Sequence, residues 1–259
     1  MAIDAARSAG TVLRARWTER AAGLETKTSA TDVVLDADRA AESEVVRALR
    51  AAYPDDEIVA EEGTGGAGRS RHRWYVDPLD GTVNYLFGIP HFAVAIACED
   101  GEGLLAAVVF DPSRDELFTA GRGAGAWLGT ERLRVSERDD LSHALVATGF
   151  AYVAEARSEQ ARILRSVLPS VRDIRRFGSA QLDLAWTAAG RYDAYYESVD
   201  KPWDWKAGAL LVREAGGRVS ELVQARAGHP HIVASGLGVH DALVTLLASA
   251  VQSGENSVN

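Results

Sequence analysis

Apolar positions in the first part of the chain follow two different periods. Ile3, Ala6, Gly10, Leu13 and Trp17 recur at helical spacing and predict a helix over residues 2–18. Ala41, Val45, Ala48, Leu49 and Ala52 repeat that pattern and predict a second helix from about Ala37 to Ala52, ended by Pro54-Asp55-Asp56. Short continuous runs then replace the helical stripe. Glu57-Ile58-Val59-Ala60 and Trp74-Tyr75-Val76 read as strands, the second stopping at Asp77-Pro78, with a Gly-rich basic loop over 63–73 between them. Residues 91–97 and 104–110 are paired apolar runs about an Asp100-Gly101 turn, a hairpin signal, and 115–127 continues in short strand-like pieces. Beyond residue 140 the two periods alternate. Strands are predicted at 145–147, 192–196, 218–222 and 232–234, and helices at 156–168, 180–190, 204–215 and 239–251.

Helices, a mostly antiparallel sheet and then alternating strands and helices predict a layered α/β (α+β) architecture. Residues 1–251 read as a single domain with halves of about 1–140 and 141–251, followed by a polar, flexible tail over 252–259. Composition agrees: 47% of the 259 residues are hydrophobic and 25% charged, enough for a sizeable core in a soluble protein. The net charge of −9 argues against a general nucleic-acid surface. An acidic chain that handles an anionic substrate must invert its field locally, and bound cations do this. No run approaches the ~18 apolar residues of a membrane span, and no signal-peptide pattern opens the chain, so a cytoplasmic location is expected. The lone cysteine, Cys98, lies in an apolar run and reads as a buried structural thiol.

Three acidic clusters carry candidate chemistry. Asp77-Pro78-Leu79-Asp80-Gly81-Thr82 follows a buried strand, where two carboxylates are costly without a counter-charge. Proline stiffens that turn so that both carboxylates and the Leu79 carbonyl can converge, and hard oxygen donors of this kind suit Mg²⁺. Gly81-Thr82 opens a helical turn whose N–H groups can hold a phosphate. Taken alone, the segment also reads as an ordinary Asp-Pro turn. Glu61-Glu62 ends another strand, a cation-site pattern or a solvated strand end. Asp204 opens an amphipathic helix, as a ligand or as its N-cap. No histidine pair has zinc spacing together with a carboxylate. The patch Arg172, Arg175 and Arg176 reads as a solvated strand face or a subunit contact.

Taken together and in order, Glu61-Glu62-Gly63, Asp77 through Tyr85 (DPLDGTVNY) and Trp203-Asp204-Trp205-Lys206-Ala207-Gly208 resemble the successive motifs of the inositol monophosphatase family. Lys27 through Asp38 resembles its mobile loop and helix start, and Gly178-Ser179-Ala180 and Tyr195-Tyr196-Glu197 its substrate-contacting segments. The resemblance spans nearly the whole chain and implies an αβαβα sandwich. It also implies that Glu61, Asp77 and the Leu79 carbonyl hold a first Mg²⁺, and that Asp77, Asp80 and Asp204 hold a second. Glu61 and Thr82 would orient the attacking water, with Asp38 bonded to Thr82. Lys27 and Glu62 would stand behind these, near a third, weaker cation. Asp80, Gly81, Thr82, Gly178, Ser179, Ala180, Glu197 and Asp204 would meet a small phosphomonoester. Lithium inhibition and a homodimer follow from the same resemblance.

Two departures stand out. Leu35 and Ala37 replace threonines of many relatives, which removes local hydrogen bonds from around Asp38. Lys206 replaces a small residue, and a continuous helix would turn it about 200° away from Asp204. It is therefore expected at the surface. Inositol monophosphate is the leading substrate, because Glu197 precedes Asp204 by seven residues, where the family accepts hydrogen bonds from inositol hydroxyls. Fructose-1,6-bisphosphate, histidinol phosphate and 3′-phosphoadenosine nucleotides are the alternatives within the superfamily. A non-catalytic interaction protein is the alternative outside it.

Overall fold

Alternation of side chains along the longest strands settles the layering. Trp74 and Val76 point one way and Tyr75 the other, and the neighbouring strand repeats this with Val94, Ile96 and Cys98 against Ala93, Ala95 and Ala97. Both faces are buried, so both must be covered. The computed structural model describes residues 1–27, 33–223 and 226–255. Its first part contains α1 (Ala2–Ala15), β1 (Glu25–Thr26), β2 (Val33–Val34), α2 (Asp36–Ala52), β3 (Glu57–Ala60), β4 (Arg73–Asp80), α3 (Thr82–Leu86), β5 (Ala93–Asp100), β6 (Gly103–Asp111), β7 (Glu116–Gly121), β8 (Gly125–Leu128) and β9 (Glu131–Arg132). Then follow β10 (Leu145–Thr148), α4 (Ala154–Val167), β11 (Asp173–Arg175), α5 (Ala180–Ala188), β12 (Ala194–Glu197), α6 (Lys206–Glu214), β13 (Arg218–Glu221), β14 (Ile232–Ser235) and α7 (Leu237–Glu255).

Strands β3 to β9 form a seven-stranded sheet in chain order, antiparallel except for the parallel β3–β4 pair. The second sheet has the order β11-β10-β12-β14-β13 and is mixed. One face of the first sheet packs on α1 and α2 through Leu13, Val45, Leu49, Ile96 and Phe110. Its other face meets α5 and α6, which also touch Tyr195 and Ala234 of the second sheet. The far face of that sheet is covered by Ile163 and Val167 of α4 and Leu243 and Leu247 of α7. The result is five layers, α, β, α, β, α, as the motif resemblance implied.

The differences from the sequence reading are local and have causes. Strand β4 does not stop at Asp77-Pro78 but continues to Asp80, because β5 goes on pairing with it across a register shift. Helix α1 buries Ala5, Ala6, Ala9, Gly10 and Leu13, a face displaced from the expected one, and Ile3 is 40% exposed. The chain leaves α1 at Ala15, and Trp17 begins a separate 3₁₀ turn. Helix α7 runs on through Gln252 to Glu255, four residues into the expected tail; 256–259 lie outside the described residues. Residues 28–32 of the expected mobile loop also lie outside them. Among the described residues, no helix is long and apolar enough to cross a membrane.

The central layer depends on small residues. Ala93, Ala95, Ala97 and Ala107 line the sheet face under α5 and α6. Gly208 on α6 lies so close to α5 that a Cβ there would stand 2.3 Å from Leu184 Cβ. Overpacking of this kind costs about 1–3 kcal/mol, whereas valine recovers only a fraction of the roughly 1 kcal/mol helix deficit of glycine. Gly208→Val is therefore expected to lower the melting temperature by several degrees. A calorimetric scan that leaves it unchanged would mean that the two helices do not meet at this point.

Candidate active site

The register shift at the end of β4 builds the centre of the site. Asp77 pairs with Ala95 and Asp80 with Ala93, so three steps on β4 match two on β5. In a regular strand, residues three apart face opposite ways, and the extra residue brings both carboxylates to one side. Pro78, which has no N–H to lose, sits inside the irregularity. The Leu79 N–H turns back to Asp77 Oδ1 at 3.0 Å. Gly81 then takes φ +98°, a conformation open to glycine, and starts the short helix α3. Thr82 Oγ1 lies 3.1 Å from Asp38 Oδ1 and 3.0 Å from the Leu79 carbonyl.

Around this corner is a cleft of about 410 Å³ lined by Lys27, Glu61, Asp77, Leu79, Asp80, Gly81, Thr82, Gly178, Ala180, Glu197 and Asp204, and also by Phe150, Tyr152 and Arg176. Most of the residues singled out in the sequence thus share one cavity. Asp38, Glu62 and Ser179 do not line it and stand behind it. Lys27 Nζ bridges Glu61 Oε1 at 2.8 Å and Glu62 Oε1 at 2.5 Å. Burial alone would lower the Lys27 pKa, but the two glutamates outweigh it and hold the ammonium above its usual range. Asp80 accepts from Ser179 Oγ (2.6 Å) and from the N–H groups of Ala180 (3.2 Å) and Gln181 (2.7 Å) at the start of α5. Even so, burial and the Glu61 charge leave it raised to about 6.

The other carboxylates are raised too. Asp77 is driven well up by burial and by Glu61, Asp80 and Asp204. Asp204 is driven up by burial and by Glu61, Asp80 and Glu197. Asp38 is pushed to about 7 by burial and the Glu61 and Glu62 charges, against its bonds from Thr82 and Leu35. Glu197, whose Oε2 accepts from Tyr195 at 3.0 Å, is pushed to about 7 by burial. Among the described residues, no three acidic, histidine or cysteine side chains are closed into a ready-made metal cage. What the cleft presents is a set of hard oxygen donors, of which Glu61 is ion-paired to Lys27. Such a set fits a divalent cation.

Several expectations change. Ser179 is 1% exposed and gives its hydroxyl to Asp80, which orients that carboxylate. Asp204 does not cap an α-helix: it ends a 3₁₀ turn (Pro202–Asp204), and α6 begins only at Lys206 after Trp205. The helical angle between residues 204 and 206 therefore does not apply. Nor is Lys206 a surface lysine. Its ammonium lies 4.1 Å from the Tyr75 ring centre and pairs with Glu99, with the side chain 17% exposed. Asp38 does keep local support, from the Leu35 backbone N–H at 3.0 Å, which needs no threonine. Asn84 and Tyr85 are braces: Asn84 Nδ2 donates to the His91 and Phe177 carbonyls, and Tyr85 donates to Leu13 O.

Two residues escaped the sequence reading and a third was misplaced by it. Arg176, expected on a solvated strand face or at a subunit contact, lines the cleft, whereas Arg175 pairs with Asp173 and Arg172 donates to the His143 carbonyl. Gln181 links α5 to the Asp204 turn, donating to Trp203 O at 2.5 Å and accepting from Gly208 N at 2.8 Å. Glu42 is fully buried and accepts from the Glu62 and Thr64 backbone. Only Glu42 left a signal, a charge inside the apolar stripe of α2.

Comparison with known proteins agrees with this geometry. The sequence model of the inositol monophosphatase family matches residues 1–255. The chain is 45% identical over 256 residues to the Nus factor SuhB of Pseudomonas aeruginosa, covering 95% of this chain and 94% of that protein. The crystal structure of the extragenic suppressor protein suhB from Bartonella henselae superposes with a TM-score of 0.87 at 40% identity, covering 95% of this chain and 96% of that one. The structure of inositol monophosphatase from Anabaena (Nostoc) sp. PCC 7120 gives 0.82 at 34% identity, covering 96% and 94%. By sequence over almost its full length, and by the layered α/β fold, the chain belongs to the inositol monophosphatase family.

Proposed function

We propose that the chain is a Mg²⁺-dependent phosphatase that hydrolyses inositol monophosphate to inositol and phosphate. Family membership supports a phosphatase of this superfamily. The observation that carries the finer reading is the cleft itself, which gathers Glu61, Asp77, Asp80 and Asp204 together with Glu197. Glu61, Asp77, Asp80, Asp204 and the Leu79 carbonyl are the groups that would hold Mg²⁺. The bound cation would supply Lewis-acid stabilisation of charge on the phosphoryl group, the leaving oxygen and the attacking water.

The remaining work falls to side chains and backbone. The Thr82 hydroxyl can donate to Asp38 or to the Leu79 carbonyl, which leaves its oxygen lone pairs to accept from a water in the cleft. Glu61, at the same wall, takes the second proton contact of that water. Gly81 and Thr82 present their N–H groups to the phosphate at the start of α3. Glu197 receives hydroxyls of the polyol, and Tyr195 fixes its orientation. The reading is tested by phosphate release from inositol, sugar, histidinol and nucleotide monophosphates with and without Mg²⁺. The name Nus factor carried by the 45%-identical relative favours a second reading, a binding role alongside the chemistry.

Chelation is expected to abolish turnover and Mg²⁺ to restore it; undiminished phosphate release in excess chelator would refute the proposal. Asp77→Asn, which removes one charge at constant volume, is expected to lower kcat on the order of 10²-fold, the scale of a major electrostatic element. Glu197→Gln tests the substrate. It should reduce kcat/KM for inositol monophosphate by roughly 1–3 kcal/mol, the range of a hydrogen bond to a charged group, and hardly affect glycerol 2-phosphate. Equal losses on both esters would remove the support for inositol.

Cation-free stability gives a fourth test. Asp38 and Asp80 hold protons in the folded chain up to about 7 and about 6, whereas unfolded aspartates release them near pH ~4. Between those values the folded state binds more protons, so stability falls as pH rises. In excess chelator the melting temperature should increase as pH is lowered from about 8 to about 5.5. Saturating Mg²⁺ at the higher pH should raise it and flatten the dependence. A melting temperature that drops on acidification across this window, in chelator, contradicts the charge crowding described here.

A further inference from the structure

Helix α2 carries two fully buried carboxylates one turn apart, Asp38 and Glu42. Asp38 reaches the corner after β4 through Thr82. Glu42 reaches the other lip of the cleft. Its Oε2 accepts the Glu62 N–H at 2.6 Å, and its Oε1 accepts the Thr64 N–H at 2.9 Å and the Thr64 hydroxyl at 2.8 Å. All three donors belong to the turn that follows β3 and bears Glu61 and Glu62. An ionised carboxylate can accept all three without presenting a donor of its own. Glutamine cannot: one of its two positions is an NH₂, which would face an N–H of the turn.

Four residues of α-helix rise about 6 Å. The two carboxylates therefore hold the two lips of the cleft at a spacing set by a rigid element packed into the core through Ala41, Val45 and Leu49. We propose that Glu42 is a positioning residue for cation binding, fixing the Glu61–Thr64 turn so that the Glu61 carboxylate stands opposite Asp77 and Asp80. The inference rests on the Mg²⁺-phosphatase reading above and extends it to a residue that does not line the cleft. Glu42 would act through the backbone of the turn, not by touching cation or ester. Its loss should thus appear in cation affinity more than in turnover at saturating cation.

The test is isothermal titration of Mg²⁺ into the full chain, with the Mg²⁺ dependence of phosphate release measured in parallel. Glu42→Gln is expected to weaken Mg²⁺ binding, and to raise the half-activating concentration, by about tenfold or more, the scale for losing a partner that orients a metal ligand. Val45→Ala, a core change on the same helix, should lower the melting temperature and leave Mg²⁺ affinity as it was. If Glu42→Gln does not fold, Thr64→Ala carries the test, since it deletes one of the three donors at an exposed residue and should weaken Mg²⁺ by about two- to fivefold. Wild-type affinity in a folded Glu42→Gln, or an equal weakening in Val45→Ala, overturns the inference while leaving the phosphatase reading intact. A wild-type chain that neither binds Mg²⁺ nor releases phosphate overturns that reading, and this inference with it.

Discussion

Gathering carboxylates at the edge of an apolar core is the constraint to which the rest of the structure answers. Burial and the neighbouring carboxylate charges raise the proton affinity of Asp77 and Asp204, and burial with the Glu61 charge raises that of Asp80. Desolvating each such ion costs several kcal/mol unless hydrogen bonds and counter-charge offset it. Two devices do part of this. The start of α5 aims a hydroxyl and two N–H groups at Asp80, where the helix dipole also favours a negative charge. Lys27 spans Glu61 and Glu62. Asp77 and Asp204 keep a residual repulsion that a bound cation would relieve.

The layering serves this placement. The start of α5 can reach the end of β4 only because α5 lies between the two sheets, and the inner face of the first sheet is narrow because it is built from alanines. Gln181 then passes the position of α5 on to the Asp204 turn through Trp203 and Gly208. On the same face of the sheet, Lys206 closes onto Glu99 and Tyr75, which ties the first residue of α6 to β4 and β5. Acidic groups from three separate segments are thereby held by packing that is mostly apolar. That division is common to precise sites: the core supplies rigidity, and a few polar links supply direction.

The lining of the cleft is of two kinds. Glu61, Asp77, Asp80, Glu197 and Asp204 are acidic, whereas Phe150 and Tyr152 bring aromatic rings and Arg176 a positive charge. Arg176 lies over the Phe150 ring at 5.9 Å, and its charge offsets part of the rise that burial imposes on Glu197, which is still pushed up to about 7.

Periodicity and short acidic motifs in the sequence were enough to determine the succession of helices and strands, the layered architecture and the clusters Glu61-Glu62, Asp77 to Thr82 and Asp204. Those features are local: a period of two or 3.6, or carboxylates beside a turn-forming Pro or Gly, can be read within a dozen residues. Four things needed the tertiary structure. The direction of Asp80 relative to Asp77 depends on an extra residue against β5, a property of the pairing and not of β4 alone. Ser179 faces Asp80 because α5 docks there. Lys206 is only partly exposed, packed against Tyr75 and Glu99, because the chain breaks at Trp205, which reset the helical angle that had put it outside. Glu42 and Arg176 acquire their surroundings from partners 20 or more residues away, and pairings over such separations leave no mark in local sequence.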